Sequence, residues 1–170
     1  MNRKVFTLAI ATAFAWFALP GCKKDKSEDL ILLDSYDEVW LGGWDGANGS
    51  GLDADNGQVY GYGSLSGASR YVDLFFDRSA FFSYDADGNE LPDVGTRFAA
   101  TNFTPAQFDA MADDRDFRLL EPTAANDSIR FALNDVVLFK TRWGKKGLIK
   151  IISMTGPTGD LKCALKAQER

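Results

Sequence analysis

The chain contains no histidine among its 170 residues. This absence excludes a Ser-His-Asp triad, a Cys-His nucleophile pair, an HExxH zinc site and a His-ligated haem. Cysteine is nearly as scarce, with Cys22 and Cys163 the two examples. If Cys22 is used for attachment, no internal disulfide framework remains, and we expect Cys163 to be a small buried core residue.

Long hydrophobic runs are also lacking. The hydrophobic run near the N-terminus, Val5–Leu19, is uncharged and has fifteen residues, fewer than the roughly 20 that an ordinary transmembrane helix needs. It follows the positively charged segment Asn2-Arg3-Lys4, as the hydrophobic region of a signal peptide does. We therefore expect residues 1–21 to be a signal peptide and the protein to be exported.

This run ends at Leu19-Pro20-Gly21-Cys22, which resembles the bacterial lipobox. The resemblance implies that Cys22 carries a diacylglyceryl thioether and, after cleavage, becomes an acylated N-terminus, for example with palmitate. More than one acyl chain gives stable membrane attachment. The alternative is an ordinary secretory signal followed by an incidental cysteine.

A charged segment without apolar side chains follows, and residues 22–29 are predicted to be the lipidated cysteine and a flexible tether. The residue after Cys22 is Lys23, not the aspartate that retains lipoproteins at the inner membrane of enteric bacteria. By that resemblance we expect an outer-membrane protein. The charged run also resembles the surface-export signals of bacteroidete lipoproteins, so the domain faces either the periplasm or the cell surface.

Charge is unevenly distributed along the chain. Without Arg3 and Lys4 there are 17 basic and 24 acidic side chains, a net charge of −7. Residues 25–127 carry a balance of −15 and residues 128–170 a balance of +6. Either basic strands lie beside acidic ones, or a basic face binds lipid headgroups, glycans or an acidic partner. Nucleic acid is not an expected partner of an exported acidic protein.

Most of residues 30–170 fits short strands separated by turns, in a composition typical of a globular protein, with 45% hydrophobic and 13% aromatic residues. The predicted strands are Val39–Trp44, Gln58–Leu65, Arg70–Asp77, Ala80–Tyr84, Phe98–Phe103, Ile129–Leu133, Val136–Trp143, Leu148–Met154 and Leu161–Ala167. Turns at Gly144-Lys145-Lys146-Gly147 and Gly156-Pro157-Thr158-Gly159 predict a meander of the last three strands. The predicted fold is mainly β, a single β-sandwich or open-barrel-like domain with one short covering helix.

That helix is marked by its N-terminal residues. Thr104 is a suitable N-cap, Pro105 suits the first helical position and Gln107 completes a capping box. We expect a helix over Ala106–Ala112, with Phe108 on the apolar stripe that packs on the sheet.

Two acidic loops have the oxygen ligands that calcium prefers. The first candidate set alternates along one loop and comprises Asp85, Asp87, Asn89 and Asp93. A hairpin turn explains the same residues, because Asp-Gly is a strong turn signal. The second set has less regular spacing and comprises Asp45, Asn48, Asp53, Asp55 and Asn56. No metal site is predicted firmly from either loop.

Catalytic carboxylates are not singled out by the sequence. Asp73 comes closest to a catalytic carboxylate, because it stands between apolar residues that would raise its pKa. Strand alternation can equally place it in solvent. An aromatic platform for a sugar or another flat ligand is a further candidate. Its residues would be Trp40, Trp44, Tyr60, Tyr62 and Tyr71, which are also ordinary strand residues.

Three segments resemble small outer-membrane lipoproteins of bacteroidete bacteria. They are Gly57-Gln58-Val59-Tyr60, Tyr71-Val72-Asp73-Leu74-Phe75-Phe76 and the lysine-rich hairpin from Val137 to Ile151. More distantly, the chain resembles HmuY-type haem-carrying lipoproteins, which are β-rich and tethered in the same way. Those relatives ligate haem through His or Met. After processing this chain keeps only Met111 and Met154, so we expect no haem and no other cofactor.

By a further resemblance, Asp127-Ser128-Ile129 matches the short O-glycosylation signal of these bacteria, which implies a glycan on Ser128.

These observations favour a cell-envelope lipoprotein that is not an enzyme and that binds a small molecule, a glycan or a protein. The expected site is a pocket or aromatic groove near Trp40, Trp44 and Tyr60. A structural or accessory subunit of an outer-membrane assembly is the first alternative and would show an exposed apolar patch. A carboxylate-based hydrolase is the second, and it needs two converging carboxylates with perturbed pKa values.

Overall fold

The computed structural model describes residues 29–43, 46–68, 70–84, 93–155 and 159–169. These residues form ten strands and two short helices. In chain order they are β1 (Leu33–Leu41), β2 (Gly51–Leu52), β3 (Val59–Tyr60), α1 (Tyr62–Ala68), β4 (Leu74–Asp77), β5 (Ala80–Phe82), β6 (Arg97–Ala100), α2 (Pro105–Ala110), β7 (Ser128–Arg130), β8 (Val136–Lys140), β9 (Lys146–Met154) and β10 (Leu161–Gln168). Two antiparallel sheets result, with strand orders β1-β10-β9-β8-β6 and β3-β2-β4-β5-β7. The mainly β prediction is confirmed, and within the described residues the strands close no barrel.

The main core lies between the two sheets. In β8 the side chains of Val137 and Phe139 belong to this core, whereas Leu138 packs on the opposite face of its sheet. In β4 Phe76 points inward and Phe75 outward. This alternation is what a strand with both faces covered requires, because successive side chains point to opposite faces. The domain is therefore a sandwich of two sheets.

Each outer face is covered by one helix. Phe108 of α2 packs with Leu138 and Leu148 on the outer face of the first sheet. Leu65 of α1 packs with Val72 and Phe75 on the outer face of the second. The layers thus follow the order helix, sheet, sheet, helix.

The capping box predicted for α2 is present. Thr104 Oγ1 accepts a hydrogen bond from Gln107 N at 3.2 Å, and Gln107 Oε1 accepts one from Thr104 N at 2.8 Å. The helix starts at Pro105 and ends at Ala110, two residues before the predicted end. The local sequence was sufficient to predict the start of this helix, because capping depends on neighbouring residues alone.

Several strand predictions are wrong in their extent, and two of these errors concern whole elements. The predicted strand Gln58–Leu65 ends at Tyr60, and the chain then forms α1, so the sandwich has two covering helices where one was expected. The strand predicted from Val39 begins at Leu33. A bulge between Tyr36 and Val39 breaks the alternation that would have revealed its first half.

The C-terminal meander is confirmed, because β8, β9 and β10 are antiparallel neighbours. Its first turn lies earlier than predicted: Thr141 N donates to Lys145 O at 2.8 Å, and Lys146 and Gly147 already belong to β9. Cys163 is fully buried, as expected, and burial raises the pKa of its thiol to about 12.

Lysines of the basic C-terminal region pair with acids of the preceding region. Lys162 Nζ lies 3.0 Å from Glu38 Oε1, and Lys146 Nζ lies 2.8 Å from Glu121 Oε1. Such pairs support the interpretation in which basic strands lie beside acidic segments. Among the described helices, none has the length and apolar character needed to cross a bilayer.

Candidate functional site

A cavity of about 510 Å³ lies where the β2–β3 loop, the β8–β9 turn and the end of β10 meet. Its walls include charged, polar and aromatic side chains: Asp55, Asp73, Thr141, Trp143, Lys145 and Gln168. The volume falls within the range of small-molecule sites.

Three carboxylates converge beside this cavity. Asp53, Asp55 and Asp73 each offer one oxygen, and these oxygens lie within 4.8 Å of one another. Backbone amides orient two of them: Ala54 N donates to Asp73 Oδ2 at 2.9 Å, and Asp55 N donates to Asp53 Oδ1 at 2.8 Å. The β2–β3 loop that carries Asp53 and Asp55 is closed by Gly57, whose φ of +71° favours glycine.

Asp73 has the most perturbed carboxyl group of the cluster. Burial raises its pKa from the ordinary 3.8 to about 6, and the charge of Asp53 acts in the same direction. The hydrogen bond from Ala54 N and the charges of Lys145 and Arg142 act in the opposite direction. Because burial dominates, Asp73 can hold a proton at mildly acidic pH.

Lys145 brings a positive charge to the same wall. Its Nζ lies 2.9 Å from Asp55 Oδ1, and its side chain is 11% exposed. Burial lowers the pKa of Lys145, while the charges of Asp34, Asp73 and Asp53 raise it. The ammonium is therefore partly desolvated and surrounded by carboxylates.

Thr141 and Trp143 complete the cavity wall from the β8–β9 turn. Thr141 is 5% exposed, and its Oγ1 has no hydrogen-bond partner in the described part of the chain. A buried hydroxyl without a partner costs about 1–3 kcal/mol, so a bound partner for Thr141 Oγ1 would offset this cost. Trp143 is 77% exposed and presents its ring to solvent at the cavity.

No family model, curated protein or solved structure matches this chain.

The described members of the predicted aromatic platform do not all lie on one face of the domain. Trp40 lies between the core residues Val39 and Leu41 of β1, so strand alternation places it on the outer face of the first sheet. Tyr60 packs on the outer face of the second sheet. They therefore lie on opposite outer faces of the sandwich, and neither lines the cavity beside Asp73. The remaining members are Tyr71, which is 47% exposed, and Trp44 and the Tyr62 side chain, which lie outside the described residues.

Of the first calcium candidate set, Asp85, Asp87 and Asn89 lie outside the described residues. Asp93 accepts hydrogen bonds from Ser83 Oγ and Gly95 N, both at 2.7 Å, and so closes a local turn.

The second set separates into different roles. Asp53 and Asp55 join the carboxylate cluster, whereas Asn48 Nδ2 donates to Asp160 Oδ2 at 2.7 Å and Asn56 Oδ1 accepts from Gln58 N. Asp45 lies outside the described residues. The third carboxylate of the cluster, Asp73, comes from a different segment.

Met111 and Met154 cannot form one axial ligand pair. Met111 packs under α2 on the outer face of the first sheet, and Met154 packs against the core between the sheets. Ser128 is half-buried on β7, an edge strand of the second sheet, and its glycosylation stays a prediction. Cys22 and residues 1–21 lie outside the described residues.

Sequence reasoning singled out Asp73 but missed Thr141, Trp143 and Lys145 as members of a site. Their only sequence signal was the lysine-rich turn after β8, which predicted a hairpin and no ligand.

Proposed function

We propose that this protein is a lipid-anchored protein of the cell envelope that binds a small ligand in the cavity beside Asp73. The observation that carries the proposal is a 510 Å³ cavity with charged walls, lined in part by Thr141, whose buried hydroxyl has no hydrogen-bond partner among the described residues. Buried polar groups normally find partners, and a bound molecule would supply one. The protein then acts by binding and not by catalysis.

The lining indicates the ligand's chemistry. Asp55 and Asp73 accept hydrogen bonds, Lys145 donates them, and Gln168 does both. The exposed ring of Trp143 offers a flat apolar surface at the same place. A polar molecule with several hydroxyl or amino groups and one flat face, such as a sugar, satisfies all of these groups.

Anchoring by Cys22 is supported by the lipobox resemblance and by the charged residues that follow. We expect Cys22→Ser to abolish incorporation of labelled palmitate and to release the protein from the membrane fraction, because no other residue is proposed to carry lipid. Cys163→Ser is the matched control and should keep the label, since Cys163 is buried. Label retained by Cys22→Ser would refute the anchor.

Ligand binding is tested by native mass spectrometry of the full-length protein released from its own membranes with mild detergent. We expect an additional small mass on the wild type, reduced at least tenfold in occupancy by Trp143→Ala. Trp40→Ala removes an exposed tryptophan away from the cavity and should keep the mass. A bare lipidated monomer would refute stable ligand carriage, and a protein-sized addition would favour the accessory-subunit alternative.

A hydrolase is the second candidate, because Asp73 has a pKa of about 6 and other carboxylates lie close by. A carboxyl with a raised pKa beside a second carboxyl is the arrangement that glycoside hydrolysis uses. Hydrolysis of glycosides by the wild type, lost in Asp73→Asn and kept in Trp143→Ala at saturating substrate, would favour this function over binding.

A further inference from the structure

We propose that the carboxylates of Asp53, Asp55 and Asp73, together with the hydroxyl of Thr141, bind a divalent cation of the calcium class. This site goes beyond the proposed binding of an organic ligand, because it requires no organic molecule in the cavity. It also differs from the loop around Asp87, which the sequence suggested.

The spacing of the carboxylates fits a single ion. Calcium binds oxygen at about 2.3–2.6 Å, so two oxygens on the same ion are at most about 5 Å apart. The cluster meets this limit, since the three oxygens lie within 4.8 Å of one another. Aspartate oxygens are also the ligands that this hard cation prefers.

The carboxylates are held in place before any ion arrives. The amide of Ala54 fixes Asp73, and the amide of Asp55 fixes Asp53. The loop backbone is fixed in turn, because Gly57 N donates to Asp53 O at 2.9 Å. A site that is already ordered loses less conformational entropy on binding.

Thr141 supplies an observation independent of the acidic cluster. It comes from the end of β8, is 95% buried, lines the cavity together with Asp55 and Asp73, and has an Oγ1 without a partner in the described residues. A hydroxyl oxygen is a neutral ligand that a hard cation accepts. An ion at the cluster would thus explain a buried polar atom that the described part of the chain leaves unpaired.

Lys145 places a positive charge at the carboxylate cluster. Its ammonium contacts Asp55 at 2.9 Å and lies near enough to Asp53 and Asp73 for their charges to act on it. A divalent ion must displace this tethered cation to reach Asp55. Lys145 is therefore a competitor of the ion, and its removal should strengthen binding.

The experiment is a calorimetric titration of the full-length, chelator-treated protein with CaCl₂. We expect one ion per chain, with affinity reduced at least tenfold in Asp53→Asn and in Asp73→Asn. Lys145→Gln should raise the affinity about tenfold. Asp116→Asn, an exposed aspartate outside the cluster, is the matched control and should bind like the wild type.

A second readout uses terbium as the probe. Tb³⁺ occupies calcium sites, and its emission is sensitised by a nearby tryptophan, here Trp143 on the same cavity wall. Trp143→Phe should remove most of the sensitised emission while calcium affinity in calorimetry stays within twofold. Thr141→Val keeps the side-chain shape and should weaken calcium binding, which provides a test if the aspartate variants fail to fold.

Three results would overturn the cation site. The first is that the wild type does not bind calcium at millimolar concentration. The second is that folded Asp53→Asn and Thr141→Val bind calcium with unchanged affinity. The third is that Asp87→Asn loses calcium binding while the cluster variants keep it. None of them bears on ligand carriage, which native mass spectrometry reports separately.

Discussion

Replacing Phe81 by alanine is expected to lower the free energy of unfolding by about 3–5 kcal/mol. Phe81 is fully buried between the sheets, and its ring centroid lies 4.5 Å from that of Phe131 and 6.3 Å from those of Phe76 and Phe98. Its truncation removes contacts to three rings at once and leaves a cavity that the surrounding sheets cannot close. Urea denaturation followed by circular dichroism measures the loss.

The neighbouring residue provides the control. Phe82 lies on the other face of β5, where it is half-buried and contacts Tyr84 with a centroid distance of 5.5 Å. Phe82→Ala should therefore cost less than half as much as Phe81→Ala. Phe81→Leu, which keeps most of the volume, covers the case in which the alanine variant does not fold. Equal losses at the two positions would contradict the assignment of β5 faces.

The local parts of the fold could be predicted from sequence, and the non-local parts could not. The capping box of α2 involves Thr104 and Gln107, three residues apart, and it formed as predicted. In contrast, α1 contains Gly63 and Gly67, which disfavour a helix, and it owes its stability to Leu65 packing on Val72 and Phe75. Tertiary contacts therefore stabilise this helix despite its low intrinsic helix propensity. Because the sequence does not show these contacts, the segment was predicted as a strand.

The candidate site was even less predictable from the sequence, because its residues come from distant segments. Asp53 and Asp55 come from one loop, Asp73 from the start of another strand, and Thr141 and Lys145 from a hairpin far along the chain. The apolar neighbours of Asp73 in sequence were a valid hint of its raised pKa. Nothing in the sequence showed which other side chains would meet it, because register and strand order bring them together.

The pH dependence of stability tests the environment of Asp73 directly. Its pKa is about 6 in the folded protein against 3.8 ordinarily, so between these values the folded state keeps a proton that the unfolded state has lost. This contribution to stability is fully present below pH 4 and is lost as the pH rises through 6. A pKa difference of about two between the folded and unfolded states corresponds to about 3 kcal/mol in the free energy of unfolding.

We therefore expect the unfolding free energy of the wild type, relative to that of Asp73→Asn, to fall by up to about 3 kcal/mol from pH 4 to pH 7. Asn cannot ionise, and it can still accept the hydrogen bond from Ala54 N. The measurement is urea denaturation at both pH values with a chelator present, so that no bound ion contributes. Asp116→Asn should follow the wild type at both pH values. A wild-type curve parallel to that of Asp73→Asn would mean that the Asp73 carboxyl is hydrated in solution, and it would remove the electrostatic basis for the hydrolase alternative.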